Sequence, residues 1–194
     1  KRKKMENKYL IAKSCDEAIE FSKIYPDFSY ISGGTDLMIN RYQKNNTSKT
    51  LIDLSEIEEM KSFEINETKI RIGSAITLAE IENNKEIKEI FPTLIEAIRS
   101  VASPLVRRSA TIGGNLLCDN RCMYYNQSEW WREAVGNCLK CEGDICIASG
   151  GKRSCFAKMV SDTAPVLIGL KATICVVNND GETIIPIEEI YSGD

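Results

Sequence analysis

Hydrophobic and polar positions change period several times along this chain, and each change predicts an element. Ser14-Cys15-Asp16-Glu17 has the capping-box pattern, and Ala18, Ile19, Phe21 and Ser22 then give a helical face. Phe28 to Ile31 is short, apolar and aromatic, which predicts a buried strand. It runs directly into Ser32-Gly33-Gly34-Thr35-Asp36, with a helix expected from Leu37 to about Tyr42. Thr50 to Leu54 predicts a second strand, and Glu56 to Met60 a short helix. Near Ser62 the period falls to two: Phe63 and Ile65, then Ile70 and Ile72, alternate around Asn66-Glu67-Thr68, which predicts a hairpin. Thr77-Leu78-Ala79-Glu80 is another capping box. Pro92 suits the first turn of a longer helix with Leu94, Ile95, Ile98 and Val101 on one face, ending near Ser103-Pro104.

Further on, Ala164 to Leu170 is small and apolar, interrupted by Pro165. Thr173 to Val177 has β-branched strand character, and Asn178-Asn179-Asp180-Gly181 predicts a turn into a return strand over Thr183 to Ile187, with Pro186 suggesting an edge. No internal repeat or low-complexity segment is evident. The first 60 residues therefore read as a small α/β lobe. The expected organisation is residues 1–61, then residues 62–194, with an insert at about 116–160 in the second lobe.

Composition narrows the class. A chain of 194 residues with 43% hydrophobic and 27% charged positions has the make-up of an ordinary globular protein with a real core. The formal charge of −3 gives no reason to expect nucleic acid, and Lys1-Arg2-Lys3-Lys4 reads as a solvated tail. No apolar run approaches the roughly 18 residues of a membrane span, and the basic start lacks a signal-peptide core. No membrane partner is expected, and a cytoplasmic location, where thiols stay reduced, is. Histidine is absent, which excludes Ser-His-Asp and Cys-His catalysis and any His-containing zinc or Rieske site.

The candidate chemistry lies between Thr111 and Asp162. Thr111-Ile112-Gly113-Gly114-Asn115 is a second glycine pair, followed by Cys118, Cys122, Cys138, Cys141, Cys146 and Cys155 and then by Ser161-Asp162. One glycine pair alone is more often just a turn. Two brought face to face could surround a pyrophosphate with backbone donors, completed by the hydroxyls of Ser32, Thr35 and Thr111 and the amide of Asn115. A dense thiol run is how a protein holds a soft metal centre, and spacing alone leaves zinc and iron–sulfur both open. Cys138 and Cys141 form a C-x-x-C pair, and Cys118 is an equally good ligand or bystander. Cys15 and Cys175 read as buried filler. Tyr124, Tyr125, Trp130 and Trp131 suggest a small hydrophobic floor, and Arg107 and Arg108 read as surface residues.

Ser32-Gly33-Gly34-Thr35-Asp36-Leu37, Thr111-Ile112-Gly113-Gly114-Asn115 and Ser161-Asp162-Thr163-Ala164-Pro165, in that order, resemble the FAD-binding (medium) subunit of the xanthine dehydrogenase and molybdenum hydroxylase family. The resemblance implies an α+β, two-lobe FAD-binding fold of the CO-dehydrogenase flavoprotein type. It implies cofactor contacts from Ile31 through Leu37 (Ile31, Ser32, Gly33, Gly34, Thr35, Asp36, Leu37), from Val101, Ala102, Val106 and Ala110 lining the flavin cleft, from Thr111, Gly113, Gly114 and Asn115, and from Asp162. The long cysteine-bearing gap resembles one subgroup, the flavoprotein subunit of 4-hydroxybenzoyl-CoA reductase, which carries an extra [4Fe–4S] cluster there. That likeness picks Cys122, Cys138, Cys146 and Cys155 as ligands, with gaps of 15, 7 and 8 residues.

The implied function is an electron-transfer subunit passing electrons through FAD and a [4Fe–4S] cluster. The implied partners are a molybdenum-cofactor subunit and a [2Fe–2S] subunit, with ferredoxin as an external donor. An ordinary molybdenum hydroxylase subunit and a zinc-binding module stand as alternatives. Family subunits continue into a further C-terminal domain, so a fragment, a short subunit and a stand-alone version are all open.

Overall fold

The computed structural model describes residues 7–66 and 69–191, so the hairpin turn at Glu67-Thr68 lies outside the described residues. The chain opens with β1 (Lys8–Ile11), α1 (Cys15–Ile24), β2 (Phe28–Ile31), α2 (Leu37–Tyr42) and β3 (Thr50–Asp53). The sheet is parallel with order β1-β3-β2, and Ile11 and Ile31 both stand beside Asp53. The α1 and α2 segments supply the crossovers that parallel strands require. Ser14 caps α1 by accepting from the Glu17 N–H at 3.2 Å, while Glu17 accepts from the Lys13 N–H at 2.6 Å. Ala12, Ala18, Ile52 and Ile57 form the core of this lobe. Strand β1 carries no alternating pattern, because Lys8, Tyr9 and Ile11 are all exposed on the sheet edge.

A short 3-10 turn over Glu58–Lys61 replaces the helix expected at Glu56 to Met60 and leads into the hairpin β4 (Phe63–Ile65) and β5 (Ile70–Ile72). Next come α3 (Leu78–Asn83), α4 (Lys85–Ile90), α5 (Pro92–Ser100), α6 (Pro104–Arg107) and α7 (Ile112–Leu116). The Thr77 box is complete: Thr77 Oγ1 accepts from the Glu80 N–H at 3.2 Å, and Glu80 accepts from the Thr77 N–H at 2.8 Å. Ile76, Leu78, Ile81, Ile87, Leu94, Ile95, Ile98 and Val101 are buried together, with the hairpin residues packed against them. Helix α5 stops at Ser100, earlier than expected, because Val101 is extended and Ala102 takes a φ of 44°.

The cysteine-bearing segment holds α8 (Glu129–Val135). The chain returns through α9 (Ala164–Gly169), whose Pro165 lies in the first turn, where a missing N–H costs nothing. It ends in the antiparallel pair β6 (Thr173–Asn178) and β7 (Gly181–Pro186) and a 3-10 turn over Ile187–Ile190. Leu116, Ala164 and Ile187 close a third small core, and the Tyr191 hydroxyl donates to the Leu116 carbonyl at 2.7 Å. No helix among the described residues is long and apolar enough to cross a membrane.

Candidate cofactor site

The first glycine segment packs against the residues that lead into the second. A Cβ on Gly33 would lie 1.7 Å from the Ser109 carbonyl oxygen, so the backbone after β2 packs directly on the backbone leading into α7. Gly34 has a φ of +69°, which turns the chain toward α2. Among the described residues, the N–H groups of Gly33, Gly34 and Thr35 have no protein acceptor, and neither hydroxyl of Ser32 and Thr35 has a partner. Three unpaired amides on one tight, half-buried turn form a ready cradle for an anion.

The second segment differs from the open turn that its glycines suggest. It is the first turn of α7, capped by Thr111, whose Oγ1 accepts from the Gly114 N–H at 3.1 Å. The Ile112 N–H donates to Ile76, the Gly113 N–H to Ser74 and the Asn115 N–H to Thr111, each at 2.9 Å. These amides are therefore occupied, and the free backbone donors belong to the first turn. Asn115 presents a side chain instead. Its Oδ1 accepts from Ser161 Oγ at 2.9 Å and Thr163 Oγ1 at 2.6 Å, which pins the Ser161-Asp162 corner beside α7 and leaves Asp162 exposed. Val101 and Ala110 are buried, while Ala102 is exposed on the approach to the first turn's partner segment.

Arg107 is not a surface residue. It is 7% exposed and donates to Glu82 Oε2 at 3.1 Å, to the Val101 carbonyl at 3.0 Å and to the Arg99 carbonyl at 3.2 Å, while Arg108 stays exposed. Burial works against the ionised Glu82, but hydrogen bonds from Arg99 and Arg107 outweigh it and hold the carboxyl below its usual range.

Asp36, the residue after the cradle, is itself paired. Its carboxylate accepts from Arg121, from the Asp119 N–H at 3.0 Å and from Asn40 Nδ2 at 3.2 Å. The other end of α2 grips the same segment: Arg132 donates to the Gln43 carbonyl at 3.0 Å and Asn45 Nδ2 to the Tyr125 carbonyl at 3.3 Å. The cysteine-bearing insert is thus seated along α2.

Inside the insert, Cys122, Cys138, Cys146 and Cys155 line one largely enclosed pocket together with Tyr125 and Lys140. Cys118 and Cys141 are not on its wall. All eight thiols are free. Hydrogen bonds from Ser149 and from the Phe156 amide pull the Cys146 thiol down to about 7, toward the thiolate form that a metal needs. Among the described residues, no three Cys, Asp or Glu side chains gather closely enough to grip one ion. Tyr125 is buried on the pocket floor and Tyr124 leans on Trp131 with ring centroids 6.3 Å apart, but Trp130 is 74% exposed and takes no part in it. The signal missed in the sequence is Arg121, Asp119 and Lys140, whose importance depends on long-range pairing that no spacing displays.

Over residues 3–194 the sequence matches the family described as FAD binding domain in molybdopterin dehydrogenase. It is 33% identical over 110 residues to the nicotinate dehydrogenase FAD-subunit of Eubacterium barkeri, covering 56% of this chain and 37% of that protein. It is 27% identical over 172 residues to the aldehyde oxidoreductase FAD-binding subunit of Escherichia coli, covering 86% of this chain and 54% of that one. The chain thus spans about half or less of the length of these relatives. The fold superposes on quinoline 2-oxidoreductase from Pseudomonas putida 86 with a TM-score of 0.70 at 16% identity, covering 97% of this chain and 53% of that one. With nearly every residue inside the match, the chain belongs to the FAD-binding domain family of the molybdopterin dehydrogenases.

Proposed function

We propose that this chain is the FAD-holding part of a molybdenum hydroxylase-type dehydrogenase and relays electrons between FAD and partner subunits that carry [2Fe–2S] clusters and the molybdenum cofactor. The observation that carries this is the cradle of unpaired N–H groups at Gly33, Gly34 and Thr35, packed against the Ser109–Ala110 backbone. The fit is chemical: neutral amides on a turn accept phosphate oxygens without a competing acceptor. In this reading the Ser32 and Thr35 hydroxyls complete the phosphate shell. Asn115 and Asp162 face the ribityl side, and the Val101–Ala110 segment borders the ring. FAD when bound would supply the exchange between two-electron and one-electron carriers; the protein places it and excludes water. The relatives named for nicotinate and aldehyde substrates favour an ordinary hydroxylase assembly of this type. Cytoplasmic location follows from the same reading.

A second observation favours a further cofactor. Four cysteines share one pocket wall, yet no three ligands converge on a single ion. The shared wall of Cys122, Cys138, Cys146 and Cys155 supports, as a second reading, a [4Fe–4S] cluster held by these four, and with it the aromatic acyl-CoA reductase assignment, with a ferredoxin-type donor.

Anaerobic reconstitution tests both. Flavin absorbance with one FAD per chain supports the first reading, and its absence at saturating FAD rejects it. Metal analysis decides the second: about four irons per chain for the cubane, against about one zinc for a tetrathiolate.

A further inference from the structure

We propose that Arg121, a residue of the cysteine insert, sets the nucleotide affinity of the glycine cradle by neutralising Asp36. This rests on the cradle being the pyrophosphate site. The cradle is Gly33, Gly34 and Thr35, and the very next residue is an acid. Asp36 directly follows the last of those amides, so an anion bound there would feel its charge in a half-buried setting where water screens poorly. Left unpaired, Asp36 would oppose the ligand that the amides attract.

The structure supplies the counter-charge from 85 residues away. The Arg121 guanidinium caps Asp36 Oδ1, with about a third of its side-chain surface left accessible. The second carboxylate oxygen is filled by the Asp119 N–H and Asn40 Nδ2. Both oxygens of the Asp36 carboxylate thus already have protein donors. Arg121 is itself fixed: Nη1 donates to the Asp119 carbonyl at 3.1 Å, and its backbone pairs with Lys158 in both directions at 2.9 Å. The charge is therefore held at Asp36 by the folded insert, and the local field at the cradle depends on a segment outside it.

The test is a calorimetric titration of ADP and of FAD into the full chain and four variants, with melting curves to confirm folding. Arg121→Gln is expected to weaken ADP and FAD by at least about tenfold, a loss that shrinks in high salt. Arg121→Lys, which keeps the charge, stays within about threefold of the parent. The deciding variant is Asp36→Asn/Arg121→Gln, in which removal of both charges restores most of the affinity. Asp36→Asn alone binds ADP as tightly as the parent or several-fold more tightly.

Unchanged affinity in Arg121→Gln overturns the proposal. So does a double variant as weak as Arg121→Gln, because Arg121 would then touch the nucleotide or hold the fold rather than cancel Asp36. If Arg121→Gln does not fold, Asp36→Asn decides alone, and weaker ADP binding there rejects the idea. No heat from either ligand in the parent chain removes the FAD reading itself, a result distinct from every variant outcome.

Discussion

Gly33 has no room for a methyl group, and the reason lies 76 residues away in sequence. The obstacle is the Ser109 carbonyl, which cannot swing aside as a side chain would. Gly33→Ala is therefore expected to cost more than about 3 kcal/mol and to abolish flavin retention, as urea melts and bound-FAD absorbance would show. Gly169→Ala is the control: nothing lies within 4 Å of its added methyl at the end of α9, so stability changes by no more than about 0.5 kcal/mol. Arg107→Ala leaves Glu82 half-paired and two carbonyls without a donor, a loss of about 3 kcal/mol. Nothing in the sequence separates Arg107 from Arg108, since only folding decides which guanidinium meets Glu82. Tyr9 is a residue-scale pH probe. Its hydroxyl donates to Asp53 at 2.5 Å, and that bond, with partial desolvation of the hydroxyl and the nearby carboxylate charge, pushes the phenol up to about 12 although Tyr9 as a whole is exposed. Because the folded value is raised, the contribution is complete below the unfolded value near 10 and vanishes as pH climbs through about 12. In Asp53→Asn the phenol should titrate back toward 10, one more phenolate appearing by ultraviolet absorbance below pH 11.

At the scale of elements, what was legible is what is decided locally. The caps at Ser14 and Thr77, Pro92 at a first turn and the Asn178–Gly181 corner depend on a few neighbouring residues, and each stands where the sequence puts it. Strand β1 and helix α4 were not legible, since β1 is an exposed edge and α4 is a single short stretch with only Ile87 buried. The Thr111 segment is the instructive miss. Two glycines disfavour a helix by about 1 kcal/mol each, yet bonds to Ser74 and Ile76 and the Thr111 cap hold α7 in place. Its payoff is the placement of Asn115, which ties α7 to the corner before α9. Asn115→Ala would leave the buried Ser161 and Thr163 hydroxyls short of an acceptor at a cost of about 1–3 kcal/mol. Asn115→Asp, which keeps the acceptor, should recover most of that stability in a thermal melt while still weakening FAD.

Across the whole molecule, α2 is shared: its leading turn is the cradle and its length carries the insert, so the two sites cannot be independent. Spacing drew attention to the C-x-x-C pair, whereas the family resemblance picked Cys155, 17 residues past Cys138, over Cys141, and the pocket wall holds Cys155 and not Cys141. The pocket's two flanks, Cys122 and the Cys155–Ala157 segment, are joined by the Arg121–Lys158 pairing. Whatever braces those flanks also braces Arg121 against Asp36. By linkage the effect must run both ways: metal in the pocket should tighten FAD, and FAD should protect the metal by the same factor. If the pocket holds the proposed cluster, anaerobic iron chelation is expected to lower FAD affinity about five- to tenfold, within the usual span of coupling between sites, and saturating FAD should slow iron loss to the chelator. In Asp36→Asn/Arg121→Gln both effects should fall to near unity while each cofactor still binds. Equal coupling in that variant would mean that the sites communicate by another route, through Arg132 and the far end of α2.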